Sequence, residues 1–509
     1  MNFQSDNQSS IFPEIIKYLE EINLSSSPAY GSDKITIQAN EMLSELFKID
    51  LKVMYVSSGT AANSIALSAI CPPYGGILCS NTAHIGGDEC GAPEFFTGGA
   101  KLIPIPSNNG LINEENLINM LNNYGLHGIH EILPSAISLT QASELGTVYK
   151  PEDIRKISNI AKKHNLYVHM DGARFSNACC FLKCEPADIT WKSGIDILSL
   201  GTTKNGTMSC EAILIFNKDI KEDFERRQKR AGHLWSKNRY MSAQIIKWIE
   251  NERWIKAAQK ANNYALSIKN SLSKNKNIII EYPVDINMVF ARIPIAIQDK
   301  LKINNVSFNP WYGSDNLTRF VTSWDTTSTE IKNFDNIIIN AVLLNGVNSS
   351  KKDFDSWAEY IKINKVNFRY IELMQTGDNL DYFNRYHISS KIFKSYLNEN
   401  KWIYQTLGQD AGPSLNYINP EYKGKFGIIA PYSKDFCRSC NRLRITSRGD
   451  LRLCLFGNTG ISIRHLLQKD DQTEELQDLI MGQMKFKKES HYLELGETGL
   501  TKNLSTTGG

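Results

Sequence analysis

Lys204, in SLGTTKNG, ends an apolar run beside Gly and Thr. A buried ammonium is costly, so a lysine there points to an amine of lowered pKa that forms Schiff bases with carbonyls. Asp171, in VHMDGARF, also ends an apolar run, where an acid needs a cationic or hydrogen-bonding partner. A protonated pyridine nitrogen is such a partner, and the pairing keeps the ring an electron sink. About one helical crossover separates the two residues, so both can point into one cleft at the ends of neighbouring strands. Ser58-Gly59-Thr60 lies between a strand-like and a helix-like segment, where backbone N–H groups and a helix N-terminus can hold a phosphate. His84, in NTAHIGGDE, can lie flat against an aromatic ring. Singly, each has a plainer reading: a loop lysine, an N-cap aspartate, an ordinary turn, a hydrogen-bonded histidine. The ordered set is what points to a phosphorylated pyridine cofactor.

Further along, Cys437, Cys440 and Cys454 form C-x2-C-x13-C in a basic, turn-rich segment, a metal-binding signal. Arg438, Arg442 and Arg444 nearby favour thiolates. Zinc would need a fourth ligand, such as a histidine, whereas an iron–sulfur cluster can leave one iron open to a non-protein ligand. Arg442 and Arg444 fall on one face of a strand, where they either hold a phosphate or nucleotide or form a solvated edge. Cys71, Cys79, Cys90, Cys179, Cys180, Cys184 and Cys210 are expected in the core.

Two styles of chain must position these residues. From about 50 to 217, strand and helix patterns alternate. Residues 51–58 read as a β-rich run, and 166–175, 195–203 and 211–217 read as strands buried on both faces of a largely parallel sheet. Residues 61–70 and 151–164 read as helices, the second with Ile154, Ile157, Ile160 and Ala161 on one face. Residues 219–272 read as long, charged and helical, and 317–335 as strand, polar turn and helix. A different style begins near 335: a helix around 352–361, a strand at 367–374, a small mixed region to 434, and a hairpin-like segment over 435–456. The polar tail ends Gly508-Gly509.

Composition narrows the class. The 509 residues suggest about three to five domains or subdomains. With 41% hydrophobic and 22% charged residues the chain is globular, and a net charge of +3 is too balanced for a polyanion partner. The Arg segment lacks the interleaved aromatics that stack bases, so no nucleic acid is expected. No apolar run reaches the ~18 residues that span a bilayer, and MNFQSDNQSSIF does not read as a secretion signal. Ten cysteines are too few for a disulfide scaffold, which points to the cytoplasm.

The motifs YGSDKI (30–35), SSGTAAN (57–63), TAHI (82–85), SLTQASELGTVY (138–149), HMDGARF (169–175), SLGTTKNG (199–206) and RFVTSWDTT (319–327) closely resemble threonine aldolases. These are pyridoxal phosphate enzymes of the aspartate-aminotransferase fold type. The resemblance covers residues 12 to about 335, so residues 1–335 are expected to form an α/β aldolase-like domain with large and small subdomains. It implies cleavage of L-threonine or L-allo-threonine to glycine and an aldehyde. It also implies that Lys204 carries the cofactor, Asp171 binds the pyridine nitrogen, and Gly59 and Thr60 bind the phosphate. His84 would stack on the ring and assist proton transfer, and Arg174 and Arg319 would bind the substrate carboxylate. Tyr30 would approach from a neighbouring subunit of a homodimer or homotetramer.

NAVLLNGVN (340–348), RYIELMQTGDN (369–379), the segment FCRSCNRLRIT…GDLRLCLF (436–456) and the terminal Gly-Gly resemble the C-terminal half of GTP 3',8-cyclase, the radical S-adenosylmethionine enzyme of molybdenum cofactor synthesis. The resemblance implies a partial barrel over 336–375 and a small α+β region over 376–509. Cys437, Cys440 and Cys454 would hold a [4Fe-4S] cluster, and Arg442, Leu443 and Arg444 would contact GTP. Met374 would contact S-adenosylmethionine, and Arg369 would lie near the nucleotide. The C-x3-C-x2-C loop of the radical-generating cluster is missing: Cys180 and Cys184 have its first spacing, but Ala187 stands at the third position. Ile338 stands where that family has a GTP-contacting lysine. Autonomous cyclase activity is therefore not expected. The open alternatives are a part in cofactor synthesis with the radical cluster supplied elsewhere, and a non-catalytic metal- or nucleotide-binding module.

Overall fold

Seven strands form the main sheet: β1 (Lys52–Val56), β2 (Gly75–Ser80), β3 (Lys101–Ile105), β4 (Leu133–Thr140), β5 (Tyr167–Gly172), β6 (Ile197–Leu200) and β7 (Glu211–Ile215). Their order is β1-β7-β6-β5-β4-β2-β3. In this computed structural model residues 1–485 are described, except 125, 221–222, 304, 312–313, 315, 336, 406–413, 434–442, 447–448, 455–459 and 469–471. Strands β3, β2, β4, β5 and β6 run parallel, while β7 is antiparallel to both β6 and β1. The sheet is thus largely parallel, as the apolar runs suggest, with one reversal at β7.

Successive residues of one strand feed two separate cores. Leu198 and Leu214 pack in one cluster with Val168 and Met170, whereas Ile197 and Ile213 pack in another with Ile77 and Ala136. Each of the larger of these side chains, Val, Leu, Ile or Met, contributes about 1.5–3 kcal/mol by leaving water. The helix Pro151–Lys163 covers one face through Ile154, Ile157 and Ala161, with Pro at its start and Glu152 and Asp153 in its first turn. Those features satisfy or complement its exposed N–H groups.

A second sheet, antiparallel throughout, contains β8 (Ile279–Ile280), β9 (Met288–Arg292), β10 (Asn309–Pro310) and β11 (Leu317–Val321) in the order β10-β11-β9-β8. The N-terminal strap joins it: the Phe3 amide donates to Ser307 O, and the Val321 amide donates to Phe3 O, both at 2.8 Å. Phe3 is fully buried with Val289 and Phe320. The expected long helical stretch over 219–272 is broken into Phe224–Arg230, Arg239–Ile249 and Arg253–Leu272. Left-handed residues at Gly232, Asn251 and Glu252 interrupt the helical ladder.

The chain divides into two compact units, Met1–Asp335 and Asn336–Gly509. In the second, β12 (Ile337–Leu343), β13 (Val366–Glu372), β14 (Ile403–Gln405), β15 (Leu415–Ile418) and β16 (Lys425–Ile429) are ordered β12-β13-β16-β15-β14. The first three of that order are parallel and the rest antiparallel. The helix Lys351–Ile363, closed by a Ser350–Asp353 capping box, makes the crossover from β12 to β13. Phe354, Phe368, Tyr370, Phe393 and Phe426 fill the core of this unit.

The segment expected as a hairpin over 435–456 contains β17 (Arg444–Ile445) and β18 (Asp450–Arg452), and a third strand, β19 (Ile461–Ser462), joins them. Of the cysteines expected in the core, Cys90 is exposed and Cys180 and Cys184 are half-buried. Cys90 lies in a left-handed turn ahead of the short helix Ala92–Thr97, which keeps it outside. No described helix is long and apolar enough to cross a membrane.

Candidate active site

Asp171, on β5, faces Ser199, on β6, across a parallel pair, and Lys204 follows in the one-turn helix Thr203–Asn205. Both therefore emerge at the C-terminal end of the main sheet, where open α/β sheets place their ligands. A cavity of about 240 Å³ opens there, and Gly59, Thr60, His84, Asp171 and Lys204 all line it.

The first turn of the helix Gly59–Ile70 supplies one wall. Ser58 caps this helix by accepting from the Ala61 amide at 3.2 Å. A Cβ added to Gly59 would meet nothing within 4 Å, so the helix end stands clear for an anion.

Asp171 is buried and accepts from the Ala173 amide at 3.0 Å through Oδ1 and from Asn63 Nδ2 at 3.1 Å through Oδ2. Burial, reinforced by the neighbouring Glu89 charge, pushes its pKa up. Ionisation of this carboxylate is thus favoured by a cation entering the cavity, which fits a protonated pyridine nitrogen. Lys204 has no ion-pair partner among the described residues, leaving its amine to the cavity.

His84 begins the short helix His84–Gly87, and its Nδ1 lies 2.9 Å from Glu89 Oε1. That hydrogen bond is the main cause of a raised His84 pKa, with burial opposing it. Glu89 also accepts from Asn63 Nδ2 at 2.8 Å, so Asn63 links His84's partner to Asp171. Glu89 and Asn63 are buried. Both lie inside the motifs that flag His84 and Gly59, but local pattern does not show which polar residues turn inward. Beneath Asp171, His169 is wedged between Ser138 Oγ at 2.9 Å and Ser199 Oγ at 3.0 Å, and burial pushes its pKa down to about 3. It is a neutral buttress.

The remaining sequence-identified residues are placed differently. Arg174 lies beside the cavity rather than in its lining, with its fork on Asp6. Arg319, on β11, is half-buried with its guanidinium 4.9 Å from the Trp311 ring centre and also stands outside the lining. Tyr30 is 53% exposed, in a left-handed turn, with the Lys229 ammonium 5.2 Å from its ring centre. It too does not line the cavity.

In the second unit, Cys437, Cys440 and Arg442 lie outside the described residues. Leu443 and Cys454 are half-buried, and Arg444 pairs with Arg452 across β17 and β18. The Met374 carbonyl accepts from Asn379 Nδ2 at 3.0 Å, and Arg369 faces Asn340 and Gly427 on the strands either side of β13. His387 Nε2, 3.2 Å from the buried Glu372 carboxylate, is a polar contact that sequence did not suggest. Among the described residues no group of three or more His, Cys, Asp or Glu is arranged to hold a metal.

Residues 2–295 match the Beta-eliminating lyase family, and residues 366–493 match Molybdenum Cofactor Synthesis C. Over 330 residues the chain is 39% identical to the low specificity L-threonine aldolase of Pseudomonas aeruginosa, which covers 65% of this chain and 94% of that protein. The threonine aldolase structure from Leishmania major superposes with a TM-score of 0.62 at 25% identity, covering 66% of this chain and 97% of its own. The rest of the chain is 44% identical over 173 residues to a GTP 3',8-cyclase of Stenotrophomonas maltophilia. That match spans 34% of this chain and 52% of the cyclase, so about half of such a protein is represented. A cavity flanked by a buried acid, a lysine and a helix end therefore meets a match over nearly the whole of an aldolase, and the chain belongs to the beta-eliminating lyase family as a pyridoxal-phosphate-dependent lyase with a GTP 3',8-cyclase-like C-terminal region.

Proposed function

We propose that this lyase is an aldolase that cleaves L-threonine and L-allo-threonine to glycine and an aldehyde. The observation that carries the reading is the convergence of Lys204, Asp171, His84 and the Gly59–Thr60 helix end on one cavity. Lys204 holds the cofactor, Asp171 faces its ring nitrogen, and the helix end takes its phosphate. Bound there, pyridoxal phosphate supplies the sink for the electron pair released when the Cα–Cβ bond breaks. His84, or a water it holds, accepts the β-hydroxyl proton, and the Glu89 contact fixes which ring nitrogen is available for that task. Arg174 and Arg319 take the substrate carboxylate. Tyr30, exposed on this chain, serves the site of a neighbouring subunit in a homodimer or homotetramer. A cytoplasmic location suits the free thiols.

For the second unit we favour a cluster- and nucleotide-binding module without cyclase activity of its own. Cys437, Cys440 and Cys454 hold a [4Fe-4S] cluster, Arg442, Leu443 and Arg444 contact GTP, and Met374 is the candidate contact for S-adenosylmethionine. A part in molybdenum cofactor synthesis is the second reading. The 44% identity over 173 residues supports it, and the absent radical-cluster loop argues against unaided turnover.

The spectrum of the purified full-length protein tests the aldolase. A lysine-bound cofactor absorbs near ~420 nm, and the band is expected to shift when glycine is added. Lys204→Ala is expected to abolish both the band and threonine cleavage. Normal turnover by that variant would overturn the assignment.

A further inference from the structure

Arg174 does not stand alone beside the cavity. Its Nε donates to Asp6 Oδ2 and its Nη2 to Asp6 Oδ1, both at 2.8 Å, a side-on fork. Asn287 Nδ2 adds a third bond to Asp6 Oδ2 at 3.0 Å. Asp6 is 1% exposed and Arg174 5%, so the pair is shielded from water. Burial disfavours the Asp6 charge, but the Arg174 charge and its hydrogen bonds prevail and hold the carboxyl below its ordinary range.

The fork leaves one end of the guanidinium uncommitted. Asp6 occupies the Nε edge, and Nη1 makes no hydrogen bond among the described residues. The Asp6–Arg174 pair lies in the neighbourhood of the reacting groups. Arg174 lies three positions beyond Asp171, at the start of the helix Phe175–Leu182. Asn7, next to Asp6, lines the cavity itself. The one-turn helix Asp6–Gln8 packs on the turn that carries Lys204. An arginine binds a carboxylate well only when its plane is fixed, since a long side chain otherwise loses rotamer freedom on binding.

We propose that Asp6 is a positioning residue for Arg174: by clamping the Nε edge it orients the guanidinium and reserves the Nη1 end for the α-carboxylate of the amino-acid substrate. The inference rests on Arg174 being a carboxylate-binding residue, as read above. It assigns the N-terminal strap, which that reading leaves without a task, to substrate recognition.

The test is an absorbance titration of full-length holoenzyme with glycine and with 2-aminoethanol, an amine lacking the carboxylate. Asp6→Asn keeps the shape but removes the charge and turns an N–H toward the arginine. It is expected to weaken glycine binding by at least ~10-fold, the worth of one charge-assisted hydrogen bond, with 2-aminoethanol binding unchanged. Asp6→Glu is expected to recover part of the loss, and Asp6→Asn in an Arg174→Lys background to add little, because the effect passes through Arg174. Equal weakening of both amines by Asp6→Asn would mean general damage and would overturn the proposal. Tighter glycine binding would overturn it too, by making Asp6 a competitor of the substrate. If Arg174→Lys weakens glycine but Asp6→Asn does not, positioning fails while the Arg174 role stands. If Arg174→Lys leaves glycine binding intact, the carboxylate reading of Arg174 fails and the inference with it. Should Asp6→Asn not fold, Asp6→Glu decides: glycine alone weakened supports the proposal, and both amines weakened equally overturns it.

Discussion

At the scale of single residues, the proposed role of His84 makes the Glu89–His84 contact a control on how activity responds to pH. A histidine that takes a proton works only when neutral, so activity falls as pH drops through its pKa. Glu89 raises that pKa, and Glu89 also raises the pKa of Asp171, which must be ionised to face a cationic ring. Both shifts place the acidic limb of the rate profile higher than it would otherwise lie. Glu89→Gln is therefore expected to move the limb to lower pH and reduce kcat by about 10- to 100-fold, measured as a kcat–pH profile. An unmoved limb would mean that neither group sets it. Lys204, Asp171, Gly59, Thr60 and His84 were legible in the sequence because each sits where a strand gives way to a turn. Asp6 was not, since its partner is 168 positions away and nothing local marks the pairing.

At the scale of elements, the two sheets are tied by the strap as well as by packing. Phe3 fills the core of the smaller sheet while Asp6, three residues on, holds Arg174 beside the main sheet. Phe3→Ala is expected to cost about 3–5 kcal/mol, read from the shift in denaturant midpoint, because a buried ring is replaced by a cavity. A change under ~1 kcal/mol would mean the strap is poorly anchored. Strands β5, β6 and β7 could be read as nearly continuous apolar runs, since almost all of their residues are buried, whereas β3, with Lys101 and Pro104 exposed, could not. The breaks in 219–272 could not, because Asn251 and Glu252 adopt left-handed conformations that their residue types do not demand. The third strand, β19, escaped notice because two residues carry no periodicity.

At the scale of the whole molecule, the chain divides into two compact units, and each is similar to a different enzyme. Cys440→Ala is expected to remove protein-bound iron, and with it any broad absorbance near ~400 nm from an anaerobic preparation, while threonine cleavage stays within about twofold of the parent. Loss of cleavage in that variant would show that the units depend on each other. The boundary near 335 was visible because two family-specific sets of motifs follow one another along the chain.

The loop that bears Lys204 is fastened on every side. The Thr202 hydroxyl donates to Cys210 O, the Thr202 amide donates to Glu211 Oε2 at 2.6 Å, and Asn205 Nδ2 donates to Trp254 O at 2.9 Å. Gly206 O accepts from the Phe12 amide at 2.9 Å, and Gly201 leaves a Cβ no room, with Ala173 Cα only 2.6 Å away. If Lys204 carries the cofactor as proposed, the movement of its amine is left to the methylene stem, because the loop backbone is held in place. A fixed backbone under a long, flexible side chain would present the same amine geometry to every incoming partner.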